Sequence, residues 1–375
     1  MANQSSSNLV LCASFNQDAS CFVIGTRDGI KIYDSNTGRL FFERAIGAFT
    51  IAEMLFTSSL LAIVGAGEQP SLSPRRLCLF NTMTGTALRE LNFLTSILAV
   101  RMNKKRLVVV LQEKTYVYDI NSLAILDTID TVPNLKALPK ELCCCTMLWI
   151  CCRIVRLRLP CCYQFLGSSN TKILCFDQVQ IDAHRSPLAA MTLSSNGMYI
   201  ATASEQGTII RVHMVSEATK SYSFRRGTYP STIFSLSFGP SAELPDILVA
   251  TGSSGSVHAF SLGFAICQRS RRSSIILGSI MPDSFSDALD PAHHGVLHSA
   301  APAGVKSYAV VRKVEKVTNS STSEIIACRA TISMVAYNGY FQEYSLTISS
   351  RDEYSWSLER EFNLQTVISE NPISS

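Results

Sequence analysis

Six times along the chain a short β-prone run is followed, after a few polar or glycine residues, by a second run ending in an aromatic or β-branched residue. The pairs are Phe22–Gly25 with Gly29–Asp34, Leu60–Gly65 with Arg76–Asn81, Arg106–Leu111 with Thr115–Asp119, Tyr199–Ser204 with Gly207–Val212, Ile247–Gly252 with Gly255–Phe260, and Ile332–Tyr337 with Gly339–Tyr344. Each pair reads as an antiparallel hairpin. The corresponding positions Tyr33, Phe80, Tyr118, Val212, Phe260 and Tyr344 are 47, 38, 94, 48 and 84 residues apart. A strand-built period near 40–45 residues is the pattern of propeller blades. The 94-residue gap has room for one more unit, and the 84-residue gap is assigned one unit plus extra loop rather than an eighth blade. The expectation is an all-β, seven-bladed propeller.

Two stretches break the repeat. Residues 139–175 hold Cys143, Cys144, Cys145, Cys151, Cys152, Cys161, Cys162 and Cys175, eight of the thirteen cysteines, and lack hairpin alternation. Arg153, Arg156 and Arg158 interrupt the apolar run well short of the about 20 residues a membrane-spanning helix needs. Adjacent cysteines do not match the ligand spacing of a zinc site. The fourth blade is therefore expected to be degenerate or disrupted. The second break, about residues 263–307, carries Arg269, Arg271 and Arg272 ahead of Ile275, Ile276, Leu277, Ile280 and Met281. Basic residues beside an apolar run suit a loop that meets anionic headgroups and inserts into a membrane interface. The competing reading is a strand of the sixth blade over Ile275–Met281. With these breaks inside it, one WD40-like domain is expected over about residues 8–350, leaving 351–375 as a tail or closing strand.

Composition narrows the function classes. Hydrophobic residues make up 47% and charged residues 17%, enough for a large core. A net charge of +4 is too mild for a general nucleic-acid binder, so attraction to anions must come from a local cluster. Met1–Ser7 is polar and shows no secretory signal, which points to reduced thiols in the cytosol. No P-loop, nucleophile elbow or metal-ligand cluster is present in the sequence, so a binding role is expected rather than catalysis.

The local cluster is Phe224-Arg225-Arg226-Gly227. Neighbouring side chains of a strand point to opposite faces, so two adjacent arginines serve two pockets rather than one. Guanidinium offers a fixed fork of donors that suits phosphate, and glycine allows a sharp turn or a close backbone approach. The alternative is a solvated surface pair.

This stretch matches the F/L-R-R-G motif of the PROPPIN family, the seven-bladed phosphoinositide-binding propellers also called WIPI or autophagy-related protein 18 proteins. Residues Ala201–Arg211 resemble the family's run before the motif, and Val100–Val110 its third blade. The resemblance covers nearly the whole chain outside about 139–175. It implies two headgroup pockets for phosphatidylinositol 3-phosphate and phosphatidylinositol 3,5-bisphosphate. The first would use His184, Thr202, Ser204, Gly207, Thr208, Arg211 and Arg225. The second would use Arg226, Gly227, Ser253, Ser256 and His258, with Gly252 standing where relatives carry a serine. No cofactor and no bound metal are expected, and the resemblance further implies an effector or scaffold role in autophagosome formation. The protein would be cytoplasmic, and peripheral on the preautophagosomal structure and on endosomal or vacuolar membranes. Its partner would be an autophagy-related protein 2-like lipid-transfer protein. A WD40-type protein scaffold without lipid binding is the alternative.

Overall fold

The computed structural model describes residues 10–130, 163–166, 171–175, 179–215, 221–241, 247–262, 294–318, 325–349 and 353–364. Its regular elements there are 27 strands. The chain divides into two compact units.

The first unit comprises Met1–Pro133, Val335–Gln342 and Arg360–Ser375. It holds three four-stranded antiparallel meanders, each paired in chain order: β1–β4 (Cys12–Phe15, Cys21–Gly25, Ile30–Asp34, Leu40–Arg44), β5–β8 (Phe49–Met54, Leu60–Gly65, Arg76–Asn81, Thr86–Asn92) and β9–β12 (Ala99–Met102, Arg106–Val110, Lys114–Asp119, Ile125–Asp130). The hairpins legible in the sequence are the middle two strands of each sheet. The second strands are buried almost throughout, which is why they read as near-continuous apolar runs such as Leu107–Val110. The first strands β1, β5 and β9 are neighbours, whereas β8 and β12 are mostly exposed. Meanders set side by side through their first strands are the blades of a propeller.

The turn after each third strand repeats. Asp34 Oδ1 accepts from the Asn36 and Thr37 amides at 2.7 and 2.6 Å. Asn81 Oδ1 does the same for Met83 and Thr84, and Asp119 Oδ1 for Asn121 and Ser122. A short side-chain acceptor two residues upstream mimics a backbone turn, which explains the polar residue after each aromatic. Within this unit Phe22 stacks between Tyr33 and Phe341 at centroid distances of 5.1 and 4.9 Å, and the buried Tyr33 hydroxyl donates to the Leu364 carbonyl at 2.7 Å.

The second unit comprises Asn134–Met334 and Glu343–Glu359. It holds the three-stranded sheet β13–β15 (Tyr163–Leu166, Thr171–Cys175, Val179–His184) and the four-stranded sheets β16–β19 (Leu188–Leu193, Tyr199–Ser204, Ile209–Met214, Ser221–Arg225) and β20–β23 (Ile233–Phe238, Ile247–Gly252, Val257–Ser261, His294–Leu297). The last sheet is β24–β27 (Ser307–Thr318, Ile325–Ala336, Tyr340–Ser349, Tyr354–Asn363), and parts of its β25, β26 and β27 belong to the first unit. Hydroxyls tie its first strand to the neighbouring sheet: Ser235 donates to Thr251 Oγ1 at 2.8 Å, Thr251 donates to the Ser307 carbonyl at 2.8 Å, and Ser235 Oγ accepts the Ala309 amide at 3.1 Å.

Two expectations are corrected. Among the described residues there are six four-stranded blades, not seven, and the fourth place holds a three-stranded sheet. Two of its strands, β13 and β14, arise inside the 139–175 segment that had no hairpin pattern; the rest of that segment lies outside the described residues. The 263–307 stretch is not loop throughout. Residues 294–297 form β23, and the following turn is pinned by the Ala301 amide on the Gly255 carbonyl at 3.0 Å and the Gly304 amide on the Ser253 carbonyl at 2.9 Å. Arg269, Arg271, Arg272, Ile275, Ile276 and Leu277 lie outside the described residues.

Candidate anion-binding site

All the described candidate residues belong to the second unit, and β19 sets their division. Across β17, β18 and β19, Thr202 pairs with Arg211 and Arg211 with Ser223, while Arg225 stands opposite Ile209. Alternation therefore places Thr202, Arg211, Ser223 and Arg225 on one face. Phe224 and Ile210 take the other face, in a core cluster with Ile233 and Phe260 of the β20–β23 sheet; the Phe224 and Phe260 rings are 5.3 Å apart. Arg226, one residue on from Arg225, follows Phe224 by two and goes to that side.

On the first face, His184 at the end of β15 shares a 3.0 Å hydrogen bond between its Nε2 and Thr202 Oγ1. Arg211 donates to the Ala183 carbonyl. Ser204 is buried two residues beyond Thr202. Gly207, at φ +59°, turns the chain into β18 and donates its amide to the Ser204 carbonyl at 2.8 Å. The Thr208 carbonyl accepts the Arg226 amide at 2.8 Å. Arg225 is exposed. The sequence reading missed His213. It lies two residues beyond Arg211, is buried, and has neither ring nitrogen hydrogen-bonded. A period-2 step from Arg211 was the signal that could have found it.

On the second face, Arg226 is buried, only 8% exposed. Its Nε donates to the Gly207 carbonyl at 2.5 Å and its guanidinium also donates to the Tyr229 carbonyl. Arg226 is therefore part of the packed interior, whereas Arg225 is exposed. Ser256 and His258 are buried on alternate positions, and His258 Nδ1 is 2.8 Å from Nε2 of His294. Gly227 has nothing within 4 Å of where a β-carbon would stand and no left-handed φ, so neither a sharp turn nor crowding within the protein demands glycine there. At Gly252 a β-carbon would come within 3.0 Å of the Thr232 carbonyl and 3.1 Å of Ser231 Oγ. Ser253 Oγ is already engaged, 3.1 Å from Ser231 Oγ and accepting the Thr232 amide at 3.0 Å, so it holds the turn.

The electrostatics of the two faces agree. Burial, then the Arg211 charge, pushes His184 down to about 4 against the opposing Thr202 bond, and the same two causes take His213 to about 4. Burial, then His294, Arg226 and His298, takes His258 to about 3, and burial with Arg226 takes His294 to about 4. Among the described residues no carboxylate forms an ion pair with Arg211, Arg225 or Arg226. Buried charge is normally paired, so each face offers guanidinium, neutral imidazole and hydroxyl groups with no anionic partner among the described residues.

A pH dependence follows. These four histidines are neutral in the fold, while the unfolded chain protonates near 6.5. Between about 6.5 and 4 the unfolded state binds more protons, so stability falls as pH falls through that window. Each histidine contributes roughly 1–3 kcal/mol to the loss. Denaturant titrations at a series of pH values should show it; a flat curve from pH 7 to 5 would mean the rings are accessible to protons in the fold.

The PROPPIN family description matches residues 9–290, and the chain belongs to the PROPPIN family of autophagy-related β-propellers. Among its relatives, "Autophagy-related protein 18b" of Arabidopsis thaliana is 63% identical over 377 residues, covering 98% of this chain and 99% of that protein. "Autophagy-related protein 18" of Yarrowia lipolytica is 33% identical, covering 91% and 93%. In fold the chain is similar to Kluyveromyces lactis Hsv2, with a TM-score of 0.63 at 14% identity over 96% of this chain and 100% of that one. It is also similar to KlAtg21, solved in complex with the coiled coil of AgAtg16, at 0.63 and 24% identity over 95% and 99%. Among the described residues no helix is long and apolar enough to cross a membrane.

Proposed function

We propose that this protein is a phosphoinositide-binding module, not an enzyme, that takes phosphatidylinositol 3-phosphate and phosphatidylinositol 3,5-bisphosphate through one pocket on each side of β19. The observation that carries the reading is the set of half-buried and buried guanidiniums, Arg211 and Arg226, with no carboxylate partner among the described residues, each beside neutral imidazoles and hydroxyls. Phosphate monoesters supply the missing anion and accept from all three donor types. Membership of the PROPPIN family supports the same ligand. The protein is then cytoplasmic, peripheral on preautophagosomal, endosomal or vacuolar membranes. It serves autophagosome formation as an effector or scaffold for an autophagy-related protein 2-like partner. A protein face is the companion reading, favoured by the likeness to KlAtg21 in its complex with the AgAtg16 coiled coil.

Flotation with liposomes tests it: binding is expected with either phosphoinositide present and not with neutral lipid alone. Equal binding to both liposome types, or to neither, would leave only the scaffold reading. The 263–293 segment joins β22 to β23 in the chain and is proposed to insert into the membrane. Replacing Ile275, Ile276, Leu277, Ile280 and Met281 by serine is expected to weaken liposome binding while soluble headgroup binding holds. Each apolar side chain contributes about 1.5–3 kcal/mol at full burial. A parallel fall in headgroup binding would assign the run to the core instead.

A further inference from the structure

His258 and His294 come from different strands, β22 and β23, and His294 is opposite Phe260 in the register rather than opposite His258. Its ring lies flat on Phe260 with centroids 4.6 Å apart, and it is near-parallel to His258, with 17° between the planes and centroids 5.0 Å apart. The 2.8 Å contact joins His258 Nδ1 to His294 Nε2. That leaves His258 Nε2, in a side chain only 5% exposed, with no hydrogen-bond partner among the described residues. An orphaned polar atom in a buried site calls for an explanation, and a bound ligand is one.

A neutral imidazole has one donor and one acceptor nitrogen, and the bond made by one nitrogen sets the state of the other. If His258 donated from Nδ1, its Nε2 would present a lone pair, which repels a phosphate oxygen. If His294 donates, His258 Nδ1 accepts and His258 Nε2–H becomes a donor. We infer that His294 is a positioning residue of the second pocket: its Nε2–H donates to His258 Nδ1 and so sets His258 Nε2–H as the hydrogen-bond donor to a bound phosphate monoester. Arg226, whose charge acts on both rings, favours their neutral forms and supplies the main attraction for the anion.

The inference rests on the phosphoinositide reading, and calorimetry with inositol 1,3,5-trisphosphate separates the two. The parent is expected to bind at two sites. His294→Phe keeps the stacking on Phe260 and removes the donor, and should weaken one site about tenfold. The other site should stay unchanged, which also reports that the variant is folded. His294→Gln restores an N–H at the same reach and should recover affinity to within about threefold of the parent. Unchanged binding by His294→Phe, or equal loss in both variants with the first site intact, overturns the role of His294. A parent that binds nothing overturns the functional reading itself. Inorganic phosphate is the second arm: equal affinity for it would assign the pocket to free phosphate and overturn the headgroup source, whereas preference for the inositol phosphate supports it.

Discussion

Arg225→Ala and Arg226→Ala should each remove one of two headgroup sites, and the double variant should remove both. Loss of a charge-assisted donor costs about 1.5–3 kcal/mol, or roughly ten- to a hundredfold in affinity. On liposomes the single variants should lose more than on soluble headgroup, because two weak sites on one body act through effective concentration. The two changes differ in their effect on the fold. Arg225 is exposed and without an ion-pair partner among the described residues, so its loss should leave the melting temperature within the scatter of surface substitutions. Arg226 is buried and holds the carbonyls of Gly207 and Tyr229. Its truncation should also cost roughly 1–3 kcal/mol of stability, the range for stranding buried hydrogen-bond partners. Titration calorimetry counts the sites and thermal unfolding reads the stability. A parent with a single site, or a single variant that loses both, would mean the arginines share one pocket.

Gly207→Ala should be among the most destabilising small changes in the second unit. A β-carbon there would sit 1.8 Å from the Ser231 carbonyl oxygen, a backbone atom, and the residue has φ +59°. A non-glycine residue in such a conformation costs about 1–3 kcal/mol, and relieving the clash adds to this. The total expected is roughly 3 kcal/mol or more. The effect should reach both pockets. Gly207 shapes the turn between β17 and β18 on the first face, and its carbonyl holds Arg226 of the second. Gly227→Ala is the matched control, since open space surrounds that position and its cost should stay within about 0.5 kcal/mol. Equal melting temperatures for the two variants would show that the turn at Gly207 adapts.

What depends on local covalent geometry is legible in the chain alone. Strand alternation alone sends Arg225 and Arg226 to opposite sides, and the structure places one exposed and one buried. Apolar runs such as Leu60–Gly65 and Leu107–Val110 identified the middle strands, because burial on both faces admits little else. Edge strands such as β8 and β12 carry no comparable pattern, since solvent tolerates most residues there, and the strand number of each sheet was open for that reason. Which groups meet across strands and sheets depends on the packing of distant segments. His294 reaches His258 over 36 residues through the pairing of β22 with β23, and His184 reaches Thr202 from a neighbouring sheet. Arg226 is buried because Phe224 commits that face to the core cluster with Phe260, a choice set by packing between sheets rather than by any residue of the motif alone.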